Sequence, residues 1–147
     1  MSKKIVSKKI DKKPTIVMAP VSSEHCKIVW VFSEIDEADV FGFNIQRSDF
    51  DCKFIFDKII QYSKRTWNEV RKETHNDGKT KHHYLSEAKL SDKAEARIRK
   101  LQLGNRRDEL FSFRLNGKCR IIGFRSGDKF IVKWFDPNHE FCPSGKE

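Results

Sequence analysis

The chain has no run apolar enough to span a bilayer and no basic amphipathic helix with an apolar face of its own, which argues against a membrane protein. Cysteine is sparse as well. Cys26, Cys52, Cys119 and Cys142 form no C-x-x-C pair, and no secretory hydrophobic region follows the Met1-Ser2-Lys3-Lys4 start. They read as reduced thiols of a cytoplasmic protein. A zinc site built from Cys26, Cys52, Cys142 and a histidine would lack ligand spacing, so neither a metal nor a cofactor is expected. Aromatic residues are missing from residues 1–20, a Lys-rich stretch ending in Pro20 that reads as a disordered basic arm.

What is present is positive charge, unevenly placed. The net charge of +9 divides into +5 over residues 1–20, −2 over 21–92 and +6 over 93–147. Such asymmetry suits a polyanionic partner, nucleic acid before membrane, against the plainer alternative of a solvated basic surface. The length fits one domain, residues 21–147, with a single core.

Residues 110–142 (LFSFRLNGKCRIIGFRSGDKFIVKWFDPNHEFC) contain three apolar runs separated by Asn116-Gly117 and Ser126-Gly127-Asp128, the pattern of an antiparallel meander. Phe111, Phe113 and Leu115 alternate and should line the core. Residues 130–135 (FIVKWF), interrupted by Lys133, should be the central strand. The first turn leaves two registers open. A two-residue turn at Asn116-Gly117 puts Arg114 and Arg120 on opposite faces, whereas a three-residue loop with Gly117 left-handed sets them across from each other. His139 follows the Asp136-Pro137-Asn138 turn at a strand end, where it is either exposed over the sheet or a structural histidine.

Upstream, residues 27–32 (KIVWVF) read as a strand buried on both faces that joins the same sheet over a long crossover, followed by an acidic connector. From Ser48 the period becomes helical, with Ser48 or Asp49 as cap. Phe56, Ile59, Ile60, Ser63, Trp67 and Val70 form the stripe, and the helix is kinked or divided near Ser63. A second helix is capped by Ser91, buries Ala94, Ile98 and Leu101, and stops at Gly104. Its basic outer residues Arg97, Arg99 and Lys100 also suit the helix dipole. Between the helices, residues 73–85 (ETHNDGKTKHHYL) break all periodicity around the Asn76-Asp77-Gly78 turn. They carry Lys79, Lys81, His82, His83 and Tyr84, side chains suited to phosphate contact, proton transfer and base stacking, or simply to an exposed polar loop. The fold class is therefore α+β: an N-terminal strand, two to three helices, then a three- to four-stranded antiparallel meander packed on them.

This order of elements, with FRLNGKCRIIGF, KFIVKWF and the closing HEF, resembles the RelE/ParE superfamily of bacterial toxins over residues 27–142. Arg114, Arg120 and His139 fall where nuclease members of that family carry a basic hairpin and a C-terminal His or Tyr. Two departures are the Lys-rich arm with its longer strand-to-helix connection, and Phe124 where many members have Tyr. The resemblance implies a RelE-like fold and mRNA cleavage, on the ribosome or free, by the substrate's own 2′-hydroxyl, with a small antitoxin protein as partner. Arg114 and Arg120 would hold the scissile phosphate. His139 would be the acid, and His83, Lys81 or Glu87 the base. Lys79, His82, Arg97, Arg99 and Lys100 are further RNA contacts, with Tyr84 or Trp67 able to stack a base. Relatives on the same fold bind DNA gyrase instead, and a non-catalytic nucleic-acid binder using the arm and residues 93–107 is the third alternative.

Overall fold

A computed structural model describes residues 22–143; the expected N-terminal arm lies outside them. After a 3-10 turn at Ser23–His25 come β1 (Val29–Val31), α1 (Cys52–Ser63), α2 (Trp67–Lys72), β2 (His83–Tyr84) and α3 (Asp92–Lys100). A 3-10 segment, Gly104–Glu109, leads into β3 (Leu110–Arg114), β4 (Arg120–Ser126) and β5 (Lys129–Asp136). The strands form one mixed sheet in the order β1-β5-β4-β3-β2, with β1 parallel to β5 and the other pairs antiparallel. The α+β class and the C-terminal meander are as expected.

Several local expectations are corrected. The β1 strand lies at the sheet edge rather than being buried on both faces, and Val29 is 45 % exposed. The centre belongs to β4. The β5 strand stands beside it, and Lys133 is the extra residue where the register shifts. Its ammonium then reaches out to the Glu34 carbonyl at 2.8 Å. The irregular segment supplies β2, which the sequence pattern did not show. The long helix starts later than expected, because Asp51 rather than Ser48 or Asp49 accepts the first-turn N–H, that of Phe54 at 3.1 Å. Asp49 is engaged with Arg47. The division near Ser63 is present, since Thr66 and Glu69 form a capping box that starts α2 anew. Ile60 is 51 % exposed and drops out of the buried stripe. Ser91 caps α3 as expected, but the helix ends at Leu101 with Gln102 in the left-handed region (φ 59°), and Gly104 opens the 3-10 segment instead.

Period-two alternation divides the core between the two sheet faces. On the first face Phe111, Phe113, Ile121, Phe130, Val132 and Phe135 pack against α1 and α2 through Ile55, Ile59, Tyr62, Trp67 and Val70. Phe113 sits among Trp30, Tyr62, Trp67, Phe111 and Phe130, with ring centroids 4.8–5.8 Å apart. On the second face Leu110, Phe124, Ile131 and Trp134 are covered by α3, Leu85, Leu90 and Phe141. That cover is short and leaves the far end of the second face open.

Candidate nucleic-acid cleft

The open end is a cleft of about 1280 Å³. Ser112, Arg114, Arg120, Ile122 and Asp136 form its floor, a hairpin over residues 74–80 together with Lys81 and His83 forms one wall, and the turn carrying His139 forms the other. Cations lining it are Lys79, Lys81, Arg114, Lys118 and Arg120, against the carboxylates of Asp77 and Asp136. Field lines of one sign in a concave site raise the local concentration of a polyanion.

Arg114 and Arg120 are direct cross-strand partners in β3 and β4. The connection is a three-residue loop, closed by Leu115 N–H to the Cys119 carbonyl at 2.9 Å. Gly117 is not left-handed; the Asn116 side chain does the work of closure by accepting the Cys119 N–H at 3.2 Å. Both guanidiniums bend toward this loop and share the Asn116 carbonyl, Arg114 through Nε at 3.3 Å and Arg120 through Nη1 at 3.1 Å. Arg120 also meets the Gly117 and Cys119 carbonyls. It is 9 % exposed, and among the described residues no carboxylate lies within ion-pair distance of it. Burial, and then the neighbouring Arg114, lower its pKa from the ordinary arginine value. Like charges placed directly opposite on a sheet are destabilising. An anion between them would relieve that cost.

The end of β3 is held by side chains where β2 runs out. Arg114 N–H donates to His82 Nδ1 at 3.0 Å, and the Arg114 carbonyl accepts the Tyr62 hydroxyl at 2.9 Å. With Nδ1 accepting, His82 carries its proton on Nε2 and donates to Glu73 Oε1 at 3.1 Å. Burial pushes the His82 pKa down to about 4, although Glu73 acts in the opposite sense. His82 is 1 % exposed and supports Arg114 from beneath, which corrects its expected place as a surface contact.

The opposite wall is set by Asp136, the cross-strand partner of Arg120. Its two carboxylate oxygens accept the N–H groups of Glu140 and Phe141, each at 2.9 Å. The Phe141 carbonyl accepts the Ser91 N–H, and its ring packs on Phe41 and Trp134. Between these anchors His139 adopts φ 58°, a left-handed conformation uncommon for non-glycine residues. Burial raises the Asp136 pKa above the usual carboxylate value.

The remaining expected residues divide. Lys79, Lys81 and His83 line the cleft. Glu87 is exposed but does not line it. Tyr84 points to the other sheet face, its ring on Phe111 at 5.1 Å and its hydroxyl accepting from Arg125 at 3.3 Å. Trp67 is fully buried on that face as well. Arg97 is bound to Asp36 through Nε–Oδ2 at 2.7 Å and Nη2–Oδ1 at 2.9 Å, and borders, with Lys100, a separate cavity of about 300 Å³. Burial opposes ionisation of Asp36, but Arg97 and the Trp134 N–H outweigh it and its pKa is lowered. Arg99 is exposed on α3 and does not line the cleft.

Lys118, His75 and Asp136 line the cleft but were not singled out as site residues in the sequence. His75 lies against the Arg114 guanidinium with both ring nitrogens facing Nη1, Nδ1 in direct contact and Nε2 at 3.1 Å. Its signal was the Asn76-Asp77-Gly78 turn between Thr74 and Thr80, which do pair as a bridge, with Gly78 left-handed at φ 86°. Asp136 read only as a turn former. Among the described residues no group of three or more His, Cys, Asp or Glu side chains is placed to hold a metal, and no helix is long and apolar enough to cross a membrane. A scan against protein-family models and searches of curated proteins and of solved structures returned no match to the chain.

Proposed function

We propose that this protein is an mRNA endoribonuclease that cleaves through the substrate's 2′-hydroxyl without a metal ion, the toxin of a toxin–antitoxin pair with a RelE-like fold. The observation that carries this reading is the cross-strand pair of Arg114 and Arg120 on the floor of an open basic cleft. A planar guanidinium fork suits phosphate oxygens, and a second one beside it stabilises the further negative charge that develops as phosphorus becomes five-coordinate. His139 protonates the departing 5′-oxygen. Lys79, Lys81 and Lys118 bind flanking phosphates. A small antitoxin with an acidic segment neutralises the same surface. The imidazoles that line the cleft favour a nuclease over gyrase binding, which needs no proton transfer.

The test pairs cleavage mapping on RNA, naked and translated, with a gyrase supercoiling assay. Products should end in a 2′,3′-cyclic phosphate and a 5′-hydroxyl, and a 2′-deoxy substitution at the scissile nucleotide should abolish cleavage. Inhibition of supercoiling with no RNA product would replace this reading by the gyrase one. Steeply salt-dependent binding with no product would leave a nucleic-acid binder.

A further inference from the structure

On the reading just given, the geometry points to His75 as the general base that takes the 2′-hydroxyl proton. In-line displacement at phosphorus places the attacking and departing oxygens on opposite sides, so base and acid must flank the phosphate clamp from opposite directions. The topology does this. Across the sheet the order is the 74–80 hairpin, then Arg114 on β3, Arg120 on β4 and Asp136 on β5, from which the His139 turn departs. Adjacent strands lie about 4.8 Å apart, so roughly 10 Å separates β3 from β5.

His75 adjoins the clamp directly. Its ring lies beside Arg114, and its position is fixed by the hairpin: His75 N–H donates to the Lys79 carbonyl at 2.8 Å, and the Gly78 N–H to the His75 carbonyl at 3.0 Å. Asp77, on the same hairpin, is its acidic neighbour, while Lys81, Arg114 from β3 and Arg120 from β4 are the cations around it. Desolvation first, then Arg114, hold its pKa below the ordinary histidine value, so the ring is neutral and able to accept a proton at pH 7. The earlier candidates fit less well. Glu87 does not line the cleft, Lys81 is a cation paired with Glu73 Oε2 at 3.6 Å, and His83 pairs with Ser112, two residues along β3 from Arg114.

The step balances without a co-reactant. The 2′-O–H proton passes to His75 Nδ1, freed from its contact with Arg114 Nη1 as that guanidinium turns to the phosphate, and the 2′-oxygen bonds to phosphorus. The P–O5′ bond breaks, and His139 delivers a proton to the 5′-oxygen. Water then restores both imidazoles.

The experiment is single-turnover cleavage of a defined oligoribonucleotide across pH by the wild type, His75→Ala, His83→Asn and His139→Asn, with melting temperatures recorded. His75→Ala should lose about 10²- to 10⁴-fold in rate with KM little changed. The acidic limb of the rate profile should vanish in it alone, and added imidazole should restore part of the rate. An acidic limb that persists in His75→Ala, at whatever rate, overturns the assignment, as does loss of that limb in His83→Asn instead. Absence of wild-type cleavage overturns the nuclease reading itself, before any variant is compared.

Discussion

Arg120 and Arg125 belong to one strand and are both nearly buried, yet they serve opposite ends. Five residues apart, they point to opposite faces of the sheet. Arg125 meets a partner in every direction: Glu24 Oε2 at 2.8 Å, Ser23 Oγ at 2.9 Å, the Gly127 carbonyl at 2.9 Å and the Tyr84 hydroxyl at 3.3 Å. Its guanidinium carbon lies 4.1 Å from the centroid of the Trp67 ring. Although burial works against it, the Glu24 carboxyl has its pKa lowered by this pairing. Arg120 has backbone carbonyls on one nitrogen, a second arginine opposite and the open cleft ahead. A buried cation with its carboxylate in place is a clasp, here pinning the N-terminal 3-10 turn to the sheet. One whose neighbouring carboxylate, that of Asp136, lies outside ion-pair distance and is taken by the Glu140 and Phe141 N–H groups is a site that an external anion completes.

The sharpest way to break this contrast is to remove each charge in turn. Arg120→Ala should lower cleavage by about 10²- to 10³-fold while changing the melting temperature little, because relief of the like charge at Arg114 offsets the lost carbonyl contacts and the lost attraction to Asp136. Arg125→Ala should do the reverse. It takes from Glu24 one of its two arginines, leaving Arg71, and uncovers Trp67, costing about 1–3 kcal/mol in denaturant unfolding, with cleavage per folded molecule retained. If Arg120→Ala unfolds the protein and Arg125→Ala abolishes cleavage, the two roles have been exchanged.

A second test concerns what lies beneath the cleft. His82 is neutral in the fold with a pKa of about 4, against 6.5 ordinarily, so between those values the unfolded chain binds the additional proton. Stability should therefore fall as pH drops through that window, by up to about 3 kcal/mol, and level off below it. Chemical denaturation at stepped pH should show this slope in the wild type and lose it in His82→Gln.

Glycines give a third comparison. A Cβ at Gly123, where β4 meets the bulge of β5, would stand 2.1 Å from the Ile131 carbonyl oxygen, backbone that cannot give way. Gly123→Ala should cost at least about 1–3 kcal/mol. At Gly117, in the loop under the arginine pair, an added Cβ meets nothing, and φ is not positive. Gly117→Ala should change stability by less than about 0.5 kcal/mol. Equal effects at the two positions would refute the assignment of loop closure to Asn116.

The sequence by itself determined the elements whose chemistry is local. Ser91 before a helical stripe, a break near Ser63, alternation through residues 110–115 and the turns of the meander are each set by side chains a few residues apart, and these elements formed as read. It also brought Arg114, Arg120 and His139 forward as a group. Only the tertiary structure decided which of the candidates share a site. Period two assigned adjacent residues to opposite faces, so His83 entered the cleft while His82 and Tyr84 left it. A distant carboxylate on the connector engaged Arg97. The register of one loop depended on an Asn side chain rather than on glycine. His75 reached Arg114 across 39 positions of chain because a polar hairpin with no hydrophobic period folded back over the sheet end that α3 is too short to cover.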